Sequence, residues 1–195
     1  MRVKLAYGLA ARWAALADLH GRQMRRNGST ETGFATATLR LKHRLFKHDT
    51  GPINTWMASV LGGIEVPGPQ RDVAPARTAI RLGAVTTAIR GRHGVNVAVD
   101  WTSGKKRTDT FDANASYLFR LAPTTYAADT RGAWYIALES LNTFANDGDR
   151  QASWAPGLLY EARRWAAEIA FRQPWLEKGD IKLDAEVALG ARYLF

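Results

Sequence analysis

Between Val3 and Phe195 the sequence returns, segment after segment, to one rhythm: an apolar residue at every second position, with mostly polar, small or charged residues between. A period of two places alternate side chains on opposite faces of an extended strand, whereas a helix needs a period near 3.6. The rhythm is strictest at the end of the chain. Leu183, Ala185, Val187, Leu189, Ala191, Tyr193 and Phe195 form one apolar row, while Lys182, Asp184, Glu186 and Arg192 fall in the other. The same alternation runs through Val3–Leu9, Trp13–Leu19, Ala35–Leu41, Trp56–Ile64, Ile80–Ala88, Val95–Trp101, Phe111–Phe119, Trp134–Leu138, Leu158–Tyr160 and Trp165–Phe171. The reading predicts eleven strands and no helix. Tyr160–Phe171 holds helix-favouring Ala and Arg, but its alternation and short flanks argue for strand. With no repeat or linker to divide it, residues 1–195 read as a single all-β, antiparallel, up-and-down domain.

The net charge of +9 comes from 27 basic and 18 acidic residues scattered along the chain. A positive balance suits nucleic acid, anionic lipid or an acidic ligand. The two dense clusters, Arg22–Arg26 and Gly104–Arg107, lack the interleaved aromatics that stack on bases, so nucleic acid is not the expected partner. The absence of cysteine removes disulfides, zinc thiolates and a thiol nucleophile. The first twenty residues mimic a secretory signal, with a basic start and a small-residue "ALA" at Ala15–Ala17. Arg12 interrupts what should be its apolar stretch, and the same residues alternate as two strands around a turn.

No run reaches the roughly 18–20 apolar residues of a membrane helix, but a membrane barrel crosses with alternating strands instead. Three features point that way. The second register carries full charges on most strands. Short turns ("AAR", "RGRHG", "EARR") alternate with mostly longer, charged connections ("QMRRNGSTET", "VPGPQRDVAPA", "SGKKRTD", "ANDGDR", "QPWLEKGD"), as in barrels with short periplasmic turns. The tryptophans sit at strand ends. Trp13, Trp56, Trp134 and Trp165 open strands after the short-turn side, and Trp101, Trp154 and Trp175 lie near the other end. Two such levels match the aromatic girdles of a membrane-spanning barrel. The expected interface aromatics are Trp13, Trp56, Trp101, Trp134, Trp165, Tyr193 and Phe195.

The polar register supplies the expected lumen set: Asp18, His20, Arg40, Lys42, Arg44, Arg81, Asp100, Asp112, Arg120, Glu139, Glu168, Arg172, Asp184, Glu186 and Arg192. Arg40, Lys42 and Arg44 form a basic ladder on one strand. Such a network either fills the interior or forms a constriction that sorts solutes by charge.

Enzyme chemistry finds little support. A Ser-His-acid set would need His20 beside Ser29 or Ser103 with an acid such as Asp18. His43 is read as facing lipid near an interface, and His48 and His93 as lying in turns; no pair of histidines has metal-ligand spacing within one strand. "LGGIEVPG" has glycines without the following helix and lysine of a phosphate loop. No enzyme activity, cofactor or metal is expected.

A closing strand that alternates and stops on Phe195, with Tyr193 two residues before, resembles the terminal signal that the barrel-assembly machinery reads in bacterial outer-membrane β-barrels. More narrowly, "LAYGLAARWAALADL" (Leu5–Leu19), "ATLRLKHRLF" (Ala37–Phe46), "SVLGGIEVPG" (Ser59–Gly68), "WYIALES" (Trp134–Ser140) and "WAPGLLYEARRWAAEIAFRQP" (Trp154–Pro174) resemble strands of the outer-membrane proteins of the phenol meta-cleavage pathway. The likeness spans most of the chain through short, degenerate motifs. It implies a Gram-negative outer-membrane, porin-like barrel that passes small hydrophobic or aromatic solutes. Its partners would be outer-membrane lipid and the assembly machinery, and it brings no catalytic residues. Single-chain barrels close on an even strand number, so eleven strands predict a twelfth, preceded by a signal peptide, before Met1. A non-conducting structural or adhesion barrel, a barrel lipid hydrolase using His20, and a soluble β protein binding an anionic partner are the alternatives.

Overall fold

A computed structural model describes residues 2–26, 29–69, 77–105, 108–127, 130–179 and 185–193, with backbone only for residues 2, 22–26 and 29–32. Asp184 and Phe195 of the expected set lie outside the described residues.

Eleven strands follow one another: β1 (Arg2–Ala10), β2 (Trp13–Arg26), β3 (Ser29–Asp49), β4 (Thr55–Pro67), β5 (Ala79–Arg90), β6 (His93–Ser103), β7 (Thr110–Ala122), β8 (Gly132–Ala145), β9 (Arg150–Ala162), β10 (Trp165–Lys178) and β11 (Glu186–Tyr193). They form one antiparallel sheet in the order of the chain, with β1 and β11 at its two ends. This is the meander that eleven alternating segments joined by local connections should form.

Register keeps each face of one character. Ile136 stands opposite Leu158, Leu158 opposite Ile169, and Ile169 opposite Leu189, an apolar row across four strands. Tyr7 pairs with Ala15 and Ala15 with Leu41 in the same sense. A slip of one residue would move each strand's apolar set to the other face, so the side chains themselves fix the pairing.

Several boundaries differ from the sequence reading. "QMRRNGSTET" is not a long loop: β2 and β3 stay paired as far as Arg26↔Ser29, on either side of Asn27-Gly28, a dipeptide typical of two-residue hairpin turns. Polar residues on both sides of the hairpin hide the alternation there. "QPWLEKGD" is largely strand, because β10 continues through Pro174 to Lys178 with a register shift between Pro174 and Leu176. His48 lies in β3, and His93 opens β6. β9 begins at Arg150, well before the Leu158–Tyr160 alternation, and takes in all of "WAPG" (Trp154–Gly157). The β9–β10 ladder runs to Ala170↔Gly157 and resumes in the same register at Gln173↔Trp154. Pro156 lies in that gap, and it has no amide hydrogen to donate.

Connection lengths therefore alternate less cleanly than expected. Ala11–Arg12, Gly91–Arg92 and Arg163–Arg164 are two-residue connections, but the same end of the meander also carries residues 50–54 and 123–131.

The chain forms two compact units. One comprises Met1–Phe46, Ala58–Val85 and Asp100–Phe111; the other comprises Lys47–Met57, Thr86–Val99 and Asp112–Phe195. Each is described separately below.

Candidate functional site

In both units polarity is inverted relative to a soluble protein. In the first, Leu5, Leu39, Leu41, Ile64, Ile80, Leu82 and Trp101 are exposed, while Asp18, Thr38, Ser59, Glu65 and Thr102 are buried. In the second, Trp56, Val97, Ile136, Leu138, Ile169, Phe171, Val187 and Leu189 are exposed, whereas Arg120 is 3% and Ser153 0% exposed. Soluble monomers rarely leave a continuous apolar surface of this kind open. The hydrophobic side chains that are buried are mostly alanine: Ala35, Ala79, Ala133, Ala152, Ala155 and Ala166, with Leu159. Among the described residues the covered face is thus packed with small and polar groups, without a core of large apolar side chains.

The polar face of the first unit is bridged. Arg40 Nη1 on β3 donates to Asp100 Oδ1 on β6 at 2.8 Å, with both side chains more than four-fifths covered. In a flat sheet, strands three places apart are separated by about 14 Å, and their side chains stand perpendicular to the sheet. The two heads meet because the unit bends toward this face. Gly63 on the intervening β4 makes room: a Cβ there would meet the Leu39 carbonyl oxygen, with Arg40 Cα at 2.7 Å and Arg40 Cγ at 2.8 Å. Beside the bridge, Arg81 Nη1 on β5 donates to Glu65 Oε2 on β4 at 3.2 Å, and the Glu65 side chain is 7% exposed. Lys42 lies two residues from Arg40 in the same row and stands opposite Ala14. Arg44 donates from Nη2 to the Ala11 carbonyl at 2.6 Å and so ties β3 to the β1–β2 turn.

A buried carboxylate that loses its cation is costly, whereas an exposed pair is worth little. Arg81→Leu is therefore expected to destabilise the protein by about 3 kcal/mol. Arg172→Leu, whose partner Glu186 lies at 3.4 Å with its side chain 57% exposed, should cost about 1 kcal/mol or less through that pair. Urea titration in detergent or lipid micelles, followed by tryptophan fluorescence, measures the difference.

In the second unit the polar face is held by neighbour-to-neighbour bonds. Arg172 Nε donates to Ser153 Oγ at 2.9 Å, Thr143 Oγ1 donates to Asp112 Oδ1 at 2.6 Å, and Asn96 Nδ2 donates to Thr87 Oγ1 at 2.7 Å. A recess of about 110 Å3 is lined by Asn96, Asn114, Ala115, Ser116, Glu139 and Leu141. Tyr126, in the connection after β7, folds back onto the strands. Tyr126 places its ring 4.1 Å from the Arg120 guanidinium, and its hydroxyl lies 2.7 Å from that of Tyr135. Arg120 also donates to the Thr124 carbonyl at 3.2 Å.

Of the remaining expected lumen residues, Glu139 is half-buried, while His20, Glu168, Glu186 and Arg192 are exposed. Glu168 lies over Gly190, where an added Cβ would collide with its carboxylate arm. Asp18 stands opposite Thr38 and Lys4 in the strand register. Glu65 was missed as a site residue although its register placed it on the polar face; only the bend of the sheet buries it. Among the described residues, no group of three His, Asp or Glu side chains is arranged to hold a metal ion.

The aromatic side chains gather at the strand ends. Trp13 packs on His43 at 4.3 Å between ring centroids. In the second unit Tyr160 lies between Trp134 at 4.8 Å and Trp165 at 5.1 Å, and Trp165 pairs across the ladder with Tyr193. Exposed His93 adds Tyr117, whose hydroxyl lies 2.6 Å from Nδ1, and Phe119 at 5.2 Å. Polar groups in the apolar register are satisfied locally. Trp56 Nε1 donates to Thr86 Oγ1 at 3.1 Å, and that hydroxyl donates to the Met57 carbonyl at 3.2 Å. Asn142 Nδ2 donates to the Ala113 carbonyl at 2.9 Å.

No protein-family model, curated protein or solved structure matches this chain.

Proposed function

We propose that this chain is a bacterial outer-membrane β-barrel that passes small hydrophobic or aromatic solutes. The observation that carries the reading is the inverted polarity: apolar side chains line the exposed register of strand after strand, and charged ones are covered. Water penalises that surface, whereas hydrocarbon favours it. The aromatic spacing agrees. Trp165 and Trp175 lie ten residues apart on β10, about 33 Å of strand. At a tilt of about 40° this spans a height of about 25 Å, the apolar band of an outer-membrane barrel. The bonds made by Trp56, Thr86 and Asn142 also fit a lipid-facing wall, where each polar group must find an internal partner.

The solute class rests on the resemblance of the strand motifs to the phenol meta-cleavage outer-membrane proteins. Insertion through the barrel-assembly machinery rests on the alternating terminal strand. A second reading, a filled barrel that conducts nothing, is favoured by the Arg40–Asp100 bridge. Two measurements test the proposal. The folded protein should migrate faster than the boiled form on detergent gels, and it should give discrete conductance steps in planar bilayers. A heat-modifiable protein without conductance supports the filled barrel. A protein that binds no detergent contradicts both readings.

A further inference from the structure

We infer that the Arg40–Asp100 bridge is the charge filter of this passage, and that it leaves the passage selective for anions. The inference rests on the transport reading above.

The bridge spans from β3 to β6 over the polar face of its unit, so a solute moving along that face has to pass it. Within the bridge the two charges offset each other. Lys42 and Arg44 continue the Arg40 row toward the β1–β2 turn, and the residue opposite Lys42 on β2 is Ala14, which brings no carboxylate. Arg44 is bound to a neutral carbonyl and keeps its charge. The Arg44 amide is in turn paired with the carbonyl of Arg12, another cation. A passing ion therefore meets a neutral bridge and then a positive row. Charged rings of this kind select the opposite sign.

The bridge can exist only because β4 has no side chain at Gly63, where a Cβ would meet the Arg40 stem. The neighbouring Arg81–Glu65 pair is likewise neutral as a pair, and it supports the wall beside the bridge without adding net charge.

The test is the reversal potential of the full chain in planar bilayers under a potassium chloride gradient. The wild type should prefer chloride. Asp100→Asn frees the Arg40 charge and should raise the chloride-to-potassium permeability ratio by about tenfold, since one unit charge at ~6 Å in a water-filled path favours chloride about threefold and disfavours potassium about threefold. Arg40→Gln frees the Asp100 carboxylate and should lower the ratio by a similar factor. The exchanged pair, Arg40→Asp with Asp100→Arg, should return the ratio toward wild type. Heat-modifiable migration confirms that each variant is folded. Where a single variant fails to fold, Lys42→Gln, which removes one charge from the positive row and should lower the ratio, and Lys42→Glu, which should lower it further, take its place. Arg40→Lys and Asp100→Glu serve as controls. Those conservative variants keep the pair and should keep the wild-type ratio. Shifts of opposite sign in the two single variants establish the filter. A conducting wild type whose ratio neither Asp100→Asn nor Arg40→Gln changes, or both change in the same direction, overturns the filter and leaves the transport reading standing. A folded wild type without conductance overturns both.

Discussion

Leu138→Arg is expected to cost about 2–4 kcal/mol when the protein is folded into a bilayer, the measured range for a cation on the lipid face near the midplane of a barrel. Leu138 stands in the middle of β8, 47% exposed, two residues after Ile136. On a soluble protein an exposed Leu→Arg change usually lies within about 0.5 kcal/mol of neutral. The two readings of the apolar face thus differ several-fold for one substitution. The neighbouring Glu139→Arg change lies on the polar face and should cost less in lipid than Leu138→Arg. Urea unfolding from vesicles, with the midpoint followed by tryptophan fluorescence, separates the outcomes.

The second large effect concerns two adjacent glycines. Gly63→Val is expected to destabilise by about 3 kcal/mol or more, at or above the usual cost of overpacking, because its new side chain would meet the β3 backbone and not a movable side-chain tip. Gly62→Val puts the same side chain one residue earlier on the apolar face, where the only close atom is Leu82 Cδ2 at 3.6 Å. That variant should fold with near wild-type stability. The yield of the heat-modifiable form reports both. Equal loss in the two variants would mean that the close approach of β3 and β4 at Gly63 does not hold.

The strands were legible because each mid-strand segment has two faces in different surroundings. Ile136, Leu158, Ile169 and Leu189 were placed on one face by alternation alone, and the ladders bring them into one row. The signal fades where both faces carry polar residues. "QMRRNGSTET" therefore read as a loop, though the chain pairs almost to its tip, and Asn27-Gly28 was the overlooked hint. The strand around Leu158–Tyr160 extends back past Pro156 to Arg150, because a proline is tolerated where the ladder can miss one donor without changing register.

The candidate site was legible only as a face. Alternation named Arg40 and Asp100 as sharing a side of the sheet. It could not pair residues sixty positions apart, because their meeting depends on the bend of the unit and on the space left at Gly63. The burial of Glu65 and the return of Tyr126 onto Arg120 depend in the same way on tertiary geometry that no local pattern encodes.

Because the chain has no cysteine, single cysteines can be placed one at a time from Trp134 to Glu139 and spin-labelled in reconstituted vesicles. The account predicts a period of two in the accessibility of the label to dissolved oxygen and to a water-soluble nickel chelate. Positions 134, 136 and 138 should favour oxygen, which concentrates in lipid, and positions 135, 137 and 139 should not. Equal access of the nickel chelate to positions 134, 136 and 138 would show that the apolar face meets water and would contradict the membrane reading.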